Sequence, residues 1–270
     1  MTLLLLAACS ETTLRERPRG PEEVTDETAT VEPPNCTTAT FLPAGGGAAE
    51  DRTAEFGLGE TVVLDRPGAL VLCDRSWQAG LIVSADVTIS GAGAAFTTLD
   101  GGGVRQVIRV EDGAALTLEG LSIVGGEGND GGGVMALGGG DLTLRGITLR
   151  TNHAGHQGGG VWVEGPRRVW FEDVRFEDND ANSAGGGAFV RDVLELTVVD
   201  GAFVGNRAVG DGGGLRLHGG LATLSGTTFE QNRSEDRGGG LSVDSAADVT
   251  GTELVFTGNP DGRVVTLTWN

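Results

Sequence analysis

Apolar and polar residues alternate in short runs along this chain, and the runs recur. After a glycine triple come Val134 and Ala136, Val161 and Val163, Ala188 and Val190, Leu215 and Leu217, Leu241 and Val243. A second alternating run follows within the block: Leu142 and Leu144, Val169 and Phe171, Leu196 and Val198. A third ends in Leu149, Phe176, Phe203, Phe229 or Phe256. Alternation with period two is a strand signal, and no helical period intervenes. Each block therefore predicts three short strands separated by turns.

Two markers keep the same time. Glycine triples start at 131, 158, 185, 212 and 238, at intervals of 27, 27, 27 and 26. Asparagines fall at Asn152, Asn179, Asn206, Asn232 and Asn259, spaced 27, 27, 26 and 27. Two independent markers with one period define a repeat. The inward side chains of one block bury too little surface to offset the ordering of its backbone, so a block must stack on copies of itself. Strands stacked unit on unit run parallel. The expected fold is all-β: a three-faced parallel β-helix of seven or eight coils, about 27 residues per coil, rising ~4.8 Å per coil. Glycine suits the sharp corners. Asparagine tolerates left-handed backbone, and its amides can form a ladder up the stack. Phe176, Phe203, Phe229 and Phe256 should stack inside. Arg150 falls one coil from Glu177, and Asp180 one coil from Arg207, as pairs that set register.

The motifs GGGA at 185–188 and FVGN at 203–206, with FEDN, FEQN and FTGN at 176, 229 and 256, resemble the GGA-[ILV] and F-x-x-N marks of polymorphic outer-membrane protein repeats. More broadly, residues 101 to 262 resemble right-handed parallel β-helix proteins of the pectate-lyase-like superfamily. The stretch LIVSADVTISGAGAAFTTLDGGG, 81–103, is similar to their entry coil. The resemblance implies a right-handed, single-stranded coil. It implies several functions equally: polysaccharide lyase or hydrolase, epimerase, adhesin, structural surface protein.

Composition narrows the setting. The formal charge is −19, and the 19 cations are all arginine. Nucleic acid is not expected as a partner, because phosphate binding needs a basic face. The 48 glycines follow no G-X-Y period, so collagen is excluded. Leu6-Ala7-Ala8-Cys9 resembles the lipobox of bacterial lipoproteins. That resemblance implies a signal remnant over 1–8 and a lipid on Cys9, hence a membrane-anchored envelope protein. Residues 9–36 are polar, charged and proline-bearing, the composition of a flexible linker. Residues 37–100 then form an N-terminal cap and the first coils, and 101–270 the repeat coils. With Cys9 lipidated, Cys36 and Cys73 remain as an even pair, and a disulfide in an oxidising compartment is preferred over two buried thiols.

Candidate chemistry comes from columns counted against the asparagines. Six residues before, the column reads Gly146, Asp173, Asp200, Gly226, Glu253. Stacked Asp173 and Asp200 are candidates for a weak, calcium-assisted acidic site, weighed against solvated turn aspartates. A lyase of the resembled superfamily would add a lysine or arginine base; lysine is absent, and no arginine aligns beside the pair. His153 and His156, in TNHAGHQ, begin a metal site without an evident third ligand. The column after the glycines reads Met135, Trp162, Phe189, Arg216, Ser242. It alternates with inward residues, so Trp162 and Phe189, with Trp170, are expected as an exposed aromatic ligand face. The expectation is a monomeric envelope lipoprotein whose β-helix is a binding, adhesion or structural surface for polysaccharide or a surface protein, with no required cofactor. The alternative is a carbohydrate-active enzyme, lyase or hydrolase-like, using the acidic column.

Overall fold

The structure, a computed structural model, describes residues 37–56, 61–78, 80–165, 167–244 and 247–260. The coil starting at Gly158 shows how the repeat folds. Gly158 turns the chain at φ +67°, and Val161–Glu164 forms a first strand. After a corner, Arg168–Glu177 forms a second, bent at Asp173 with φ +51°. Asp178, again at φ +51°, turns the chain into Asn179, and Asp180–Ala181 forms a two-residue strand before the next glycine triple.

Copies stack in parallel into an eight-stranded sheet led by the glycines, a wide sixteen-stranded sheet and a narrow five-stranded one. The first step of the glycine-led sheet, Thr61 to Gly80, is shorter than a full repeat. The later steps join Leu81 to Ile108, Ile108 to Val134, Val134 to Val161, Val161 to Ala188, Ala188 to Leu215 and Leu215 to Leu241. These make six turns of nearly constant length, against the seven or eight expected, because the chain ahead of Leu81 goes into the short step and the cap.

The three faces are not assigned as the alternation suggested. The second and third apolar runs both lie in the wide sheet, as one bent strand in Leu142–Arg150 and as two in Glu195–Val199 and Ala202–Val204. The third face is built from two-residue strands after the asparagine corner: Glu127–Gly128, His153–Ala154, Asp180–Ala181, Arg207–Ala208 and Arg233–Ser234.

Two columns hold the corners. Asn152 Nδ2 donates to Asn179 Oδ1 at 2.9 Å, and the contact repeats from Asn179 to Asn206 (2.9 Å), Asn206 to Asn232 (2.9 Å) and Asn232 to Asn259 (3.1 Å). Each Oδ1 also accepts the backbone N–H of the asparagine below, at 2.8–3.1 Å. Beside this ladder, Phe176, Phe203, Phe229 and Phe256 stack with centroids 4.6, 5.0 and 4.8 Å apart, the spacing of the coils themselves. The ladder asparagines are not the left-handed residues. The residue before each one is: Thr151 (φ 53°), Asp178 (51°), Gly205 (64°), Gln231 (53°) and Gly258 (64°). In each repeating triple the first glycine has positive φ, whereas the second and third leave room for the next coil.

Asp180 lies 3.7 Å from Arg207, the cross-coil pair expected. Arg150 stands in register with Glu177, but the hydrogen bond to that carboxyl comes from Arg175 at 3.0 Å. Arg175, helped by Arg150, holds Glu177 below the usual carboxylate range.

At the N-terminal end Ala39–Pro43 runs antiparallel to Gly68–Leu72 and to Glu50–Asp51, covering the sheet edge that the first coil would expose. Trp77 is buried there, edge-on to Phe56 at 5.2 Å, with the Arg75 guanidinium 3.8 Å from its ring centroid. Cys73 is buried in this end of the core, its Sγ 3.7 Å from Thr38 Oγ1. Cys36 and Cys9 lie outside the described residues.

Candidate functional site

The column behind the glycines is in register as expected: Met135, Trp162, Phe189, Arg216 and Ser242 follow one another along the outer face of the glycine-led sheet. It is not an exposed stripe. Trp162 and Phe189 are only 6% and 4% exposed, packed with Ala184, Met135 and Leu137 into a second small core. The physical reason is the narrow sheet. Its strands are two residues long, so the turn that follows each one has slack enough to fold over the outer face. Trp162 Nε1 donates to Gln157 Oε1 (3.4 Å) in one such turn, and Ala184 lies in the next.

Where the cover thins, a cleft of 340 Å³ opens over Phe189, bordered by Ser183, Asp211, Arg216, His218 and Asp236. Arg216 Nη1 donates to Ser242 Oγ at 2.8 Å and lies 3.7 Å from Asp211. Asp211 is held by Arg237 through two hydrogen bonds, 3.1 and 2.9 Å, and its carboxylate raises the Arg237 guanidinium above its ordinary value. His218 contacts Asp244 through Nδ1. The cleft thus sets a polar, internally paired rim around an aromatic floor.

Trp170 lies elsewhere. It belongs to the wide sheet, so it cannot form one surface with Trp162 and Phe189. It is 40% exposed, and its Nε1 donates to Glu172 Oε2 at 3.2 Å. Beyond Ala69 at its N-terminal end its column is otherwise threonine: Thr88, Thr117, Thr143, Trp170, Thr197, Thr223 and Thr250 are consecutive register partners. Within it, Thr223 and Thr250 share a hydroxyl contact of 3.3 Å. In the flanking column Arg145 bridges Glu119 (3.4 Å) and Glu172 (3.1 Å). A hydroxyl file, one aromatic platform and carboxylates partly offset by Arg145 suit a hydroxyl-rich ligand rather than an anionic one. The file was available to counting: Thr143, Trp170, Thr197, Thr223 and Thr250 each stand nine residues before a ladder asparagine.

Asp173 and Asp200 occupy the bend of the wide sheet with φ 51° and 52°, in a column shared with Gly120, Gly146, Gly226 and Glu253, all at positive φ. Left-handed backbone is therefore what this column demands, and aspartate is one of the few residue types that accepts it. Asp200 Oδ1 leans over Gly226 of the next coil, 2.3 Å from where a Cβ would stand. Among the described residues no three His, Cys, Asp or Glu side chains form a ready metal-ligand set.

No curated protein and no solved structure matches the chain at a significant level. Residues 106–269 match the family described as "Right handed beta helix region", which covers more than half of the sequence. The stacked parallel coils and this match agree, and the chain belongs to the right-handed β-helix family.

Proposed function

We propose that the protein is a cell-envelope lipoprotein, anchored by a lipid on Cys9, that displays its β-helix as a rigid binding surface. Its repeats are read as the polymorphic outer-membrane protein type, on the GGGA and F-x-x-N marks. The face around Trp170 is the binding surface, and its ligand is a polysaccharide. The observation that carries this is the exposed Trp170 set within a file of threonines at coil spacing. Aromatic rings stack on the apolar faces of sugars, and flanking hydroxyls can hydrogen-bond the rest. Six turns in constant register, with short corners, keep this face flat and preorganised.

The test is retention of the full-length protein on immobilised neutral and acidic polysaccharides, with and without calcium, while polymer size is followed. Retention on one polymer is expected, reduced at least tenfold by Trp170→Ala and left intact by Trp162→Ala. Retention that survives Trp170→Ala sinks this reading of the face. Capture only by a surface protein would replace the polysaccharide with a protein partner. The second reading, a carbohydrate-active enzyme, rests on the cleft over Phe189 with Asp211 and Arg216 at its rim; shortening of any polymer would establish it.

Cys36 is two residues from Thr38, whose carbonyl accepts the Cys73 N–H at 3.3 Å, so a Cys36–Cys73 disulfide would tie the tether to the cap. One mass-spectrometric experiment checks both cysteine assignments: alkylation without reduction should label neither Cys36 nor Cys73, and the Cys9 peptide should carry acyl chains. Label on either cysteine, or a bare Cys9, overturns the corresponding assignment.

A further inference from the structure

The narrow sheet carries a column that the proposed binding face does not use: Glu127, His153, Asp180, Arg207 and Arg233 are register partners on successive coils. His153 Nδ1 lies 2.9 Å from Asp180 Oδ2. A carboxylate oxygen only accepts, so Nδ1 carries the proton. The other Asp180 oxygen faces Arg207 Nη1 at 3.7 Å, and Arg207 is itself held by Glu235 at 2.7 Å. The imidazole is thus oriented from behind by a chain of charged groups, with Nε2 turned away from it.

Nε2 meets Glu127 Oε1 at 3.9 Å and the Asn182 side-chain amide at 3.5 Å. In the neutral ring, Nε2 is a lone pair facing a carboxylate. The Asn182 Nδ2, a donor, reaches Nε2 only at the 3.5 Å limit of a hydrogen bond, and a cation between Nε2 and the carboxylate would satisfy both acceptors better. Two zinc–ligand bonds of about 2.0–2.2 Å at a tetrahedral angle set their ends about 3.3–3.6 Å apart, so the gap has to close by a few tenths of an ångström, which two partly exposed side chains allow. Turning the Asn182 amide over would present its oxygen to the same point. Both His153 and Glu127 are partly exposed, so water can fill the remaining positions. A carboxylate behind the ring and an open Nε2 in front is the arrangement by which proteins orient a metal-binding histidine.

We infer that His153 Nε2 and Glu127, with Asn182 and water, bind a borderline divalent ion such as Zn²⁺ or Cu²⁺, and that Asp180 is a positioning residue behind the ring. Imidazole selects against the hard ions Ca²⁺ and Mg²⁺. The site pins one coil to the next through a metal as well as through the backbone.

The experiment titrates ZnCl₂, CuCl₂ and CaCl₂ into the full-length protein, alkylated so that no thiol competes, and follows heat and thermal midpoint. One saturable Zn²⁺ site per chain is expected, with tighter Cu²⁺ binding, no Ca²⁺ response and a midpoint that rises with metal. His153→Ala should abolish binding, and Glu127→Gln should weaken it at least tenfold. Asp180→Asn should weaken it roughly 10–100-fold while the metal-free thermal midpoint stays at the wild-type value. His218→Ala should leave binding unchanged. If the ring is instead an imidazolium shared by Glu127 and Asp180, Zn²⁺ gives no saturable heat at millimolar concentration, and the inference fails. It fails equally if His153→Ala binds as wild type, or if only His156→Ala loses the site.

Discussion

Asn206→Leu should cost the protein several kcal/mol, although the two side chains are close in volume and the site is fully buried. The asparagine amide serves three coils at once. Its Oδ1 accepts from Asn179 N (3.0 Å) and Asn179 Nδ2 (2.9 Å). Its Nδ2 donates to Phe176 O (2.9 Å) and to Asn232 Oδ1 (2.9 Å). Leucine removes all four contacts and leaves the Asn179 backbone N–H buried without a partner, while the Phe176 carbonyl keeps only the Val204 N–H of the parallel ladder. The orphan costs about 1–3 kcal/mol and each of the other three lost hydrogen bonds about 0.5–1.5 kcal/mol, so the loss is roughly 3–7 kcal/mol against a typical domain stability of about 5–15 kcal/mol. Urea unfolding of the purified protein measures it. A midpoint within experimental error of wild type would show that the ladder is ornament and that the phenylalanine stack alone holds the corner.

Gly186→Ala should be at least as damaging, for a reason of space. A Cβ at Gly186 would stand 2.2 Å from Arg207 O and 2.5 Å from Gly213 O, both backbone atoms of the following coil. Neither can turn aside as a side chain would. The coils must separate, which lengthens the cross-coil hydrogen bonds Gly186 N to Gly212 O (3.1 Å) and Gly187 N to Gly213 O (3.0 Å). We expect a loss above about 3 kcal/mol, beyond the typical ~1–3 kcal/mol of core overpacking because the obstructing atoms are backbone. The control is Gly45→Ala. Gly45 has φ +88° but nothing within 4 Å of its Cβ position, so it isolates backbone strain of about 1–2 kcal/mol. Equal effects at the two positions would refute the spatial account of the glycine triple.

The architecture was legible because stacking turns a local pattern into a global one. Val161, Ala188 and Leu215 are buried partners on neighbouring coils, and they also stand one repeat apart in a sequence that can be counted. Reading the faces was harder. Asp180–Ala181 is too short for alternation to appear, so the narrow sheet escaped notice, and with it the turns that bury Trp162 and Phe189. Exposure of an outward residue depends on what later segments fold over it, which periodicity does not report. Residue type alone points to left-handed backbone at the asparagines, whereas Thr151, Asp178 and Gln231 carry it. Their mixed chemistry hides a shared φ. The acidic column is a plainer case: its glycines can be counted in the sequence beside Asp173 and Asp200, and what the structure adds is the positive φ that all of them share.

The constancy of the register has a genetic consequence. Residues 185–211 begin and end at equivalent points of successive coils, with Ala188 over Leu215 and Asp180, Arg207 and Arg233 in one line. Unequal recombination between such blocks adds or removes one whole rung of asparagine and one phenylalanine, and joins the same surfaces on either side of the seam. The length of the rod can therefore drift in steps of one coil, ~4.8 Å each, while the cap at its N-terminal end stays as it is. A β-helix built this way can change its length by copying, without inventing a new fold.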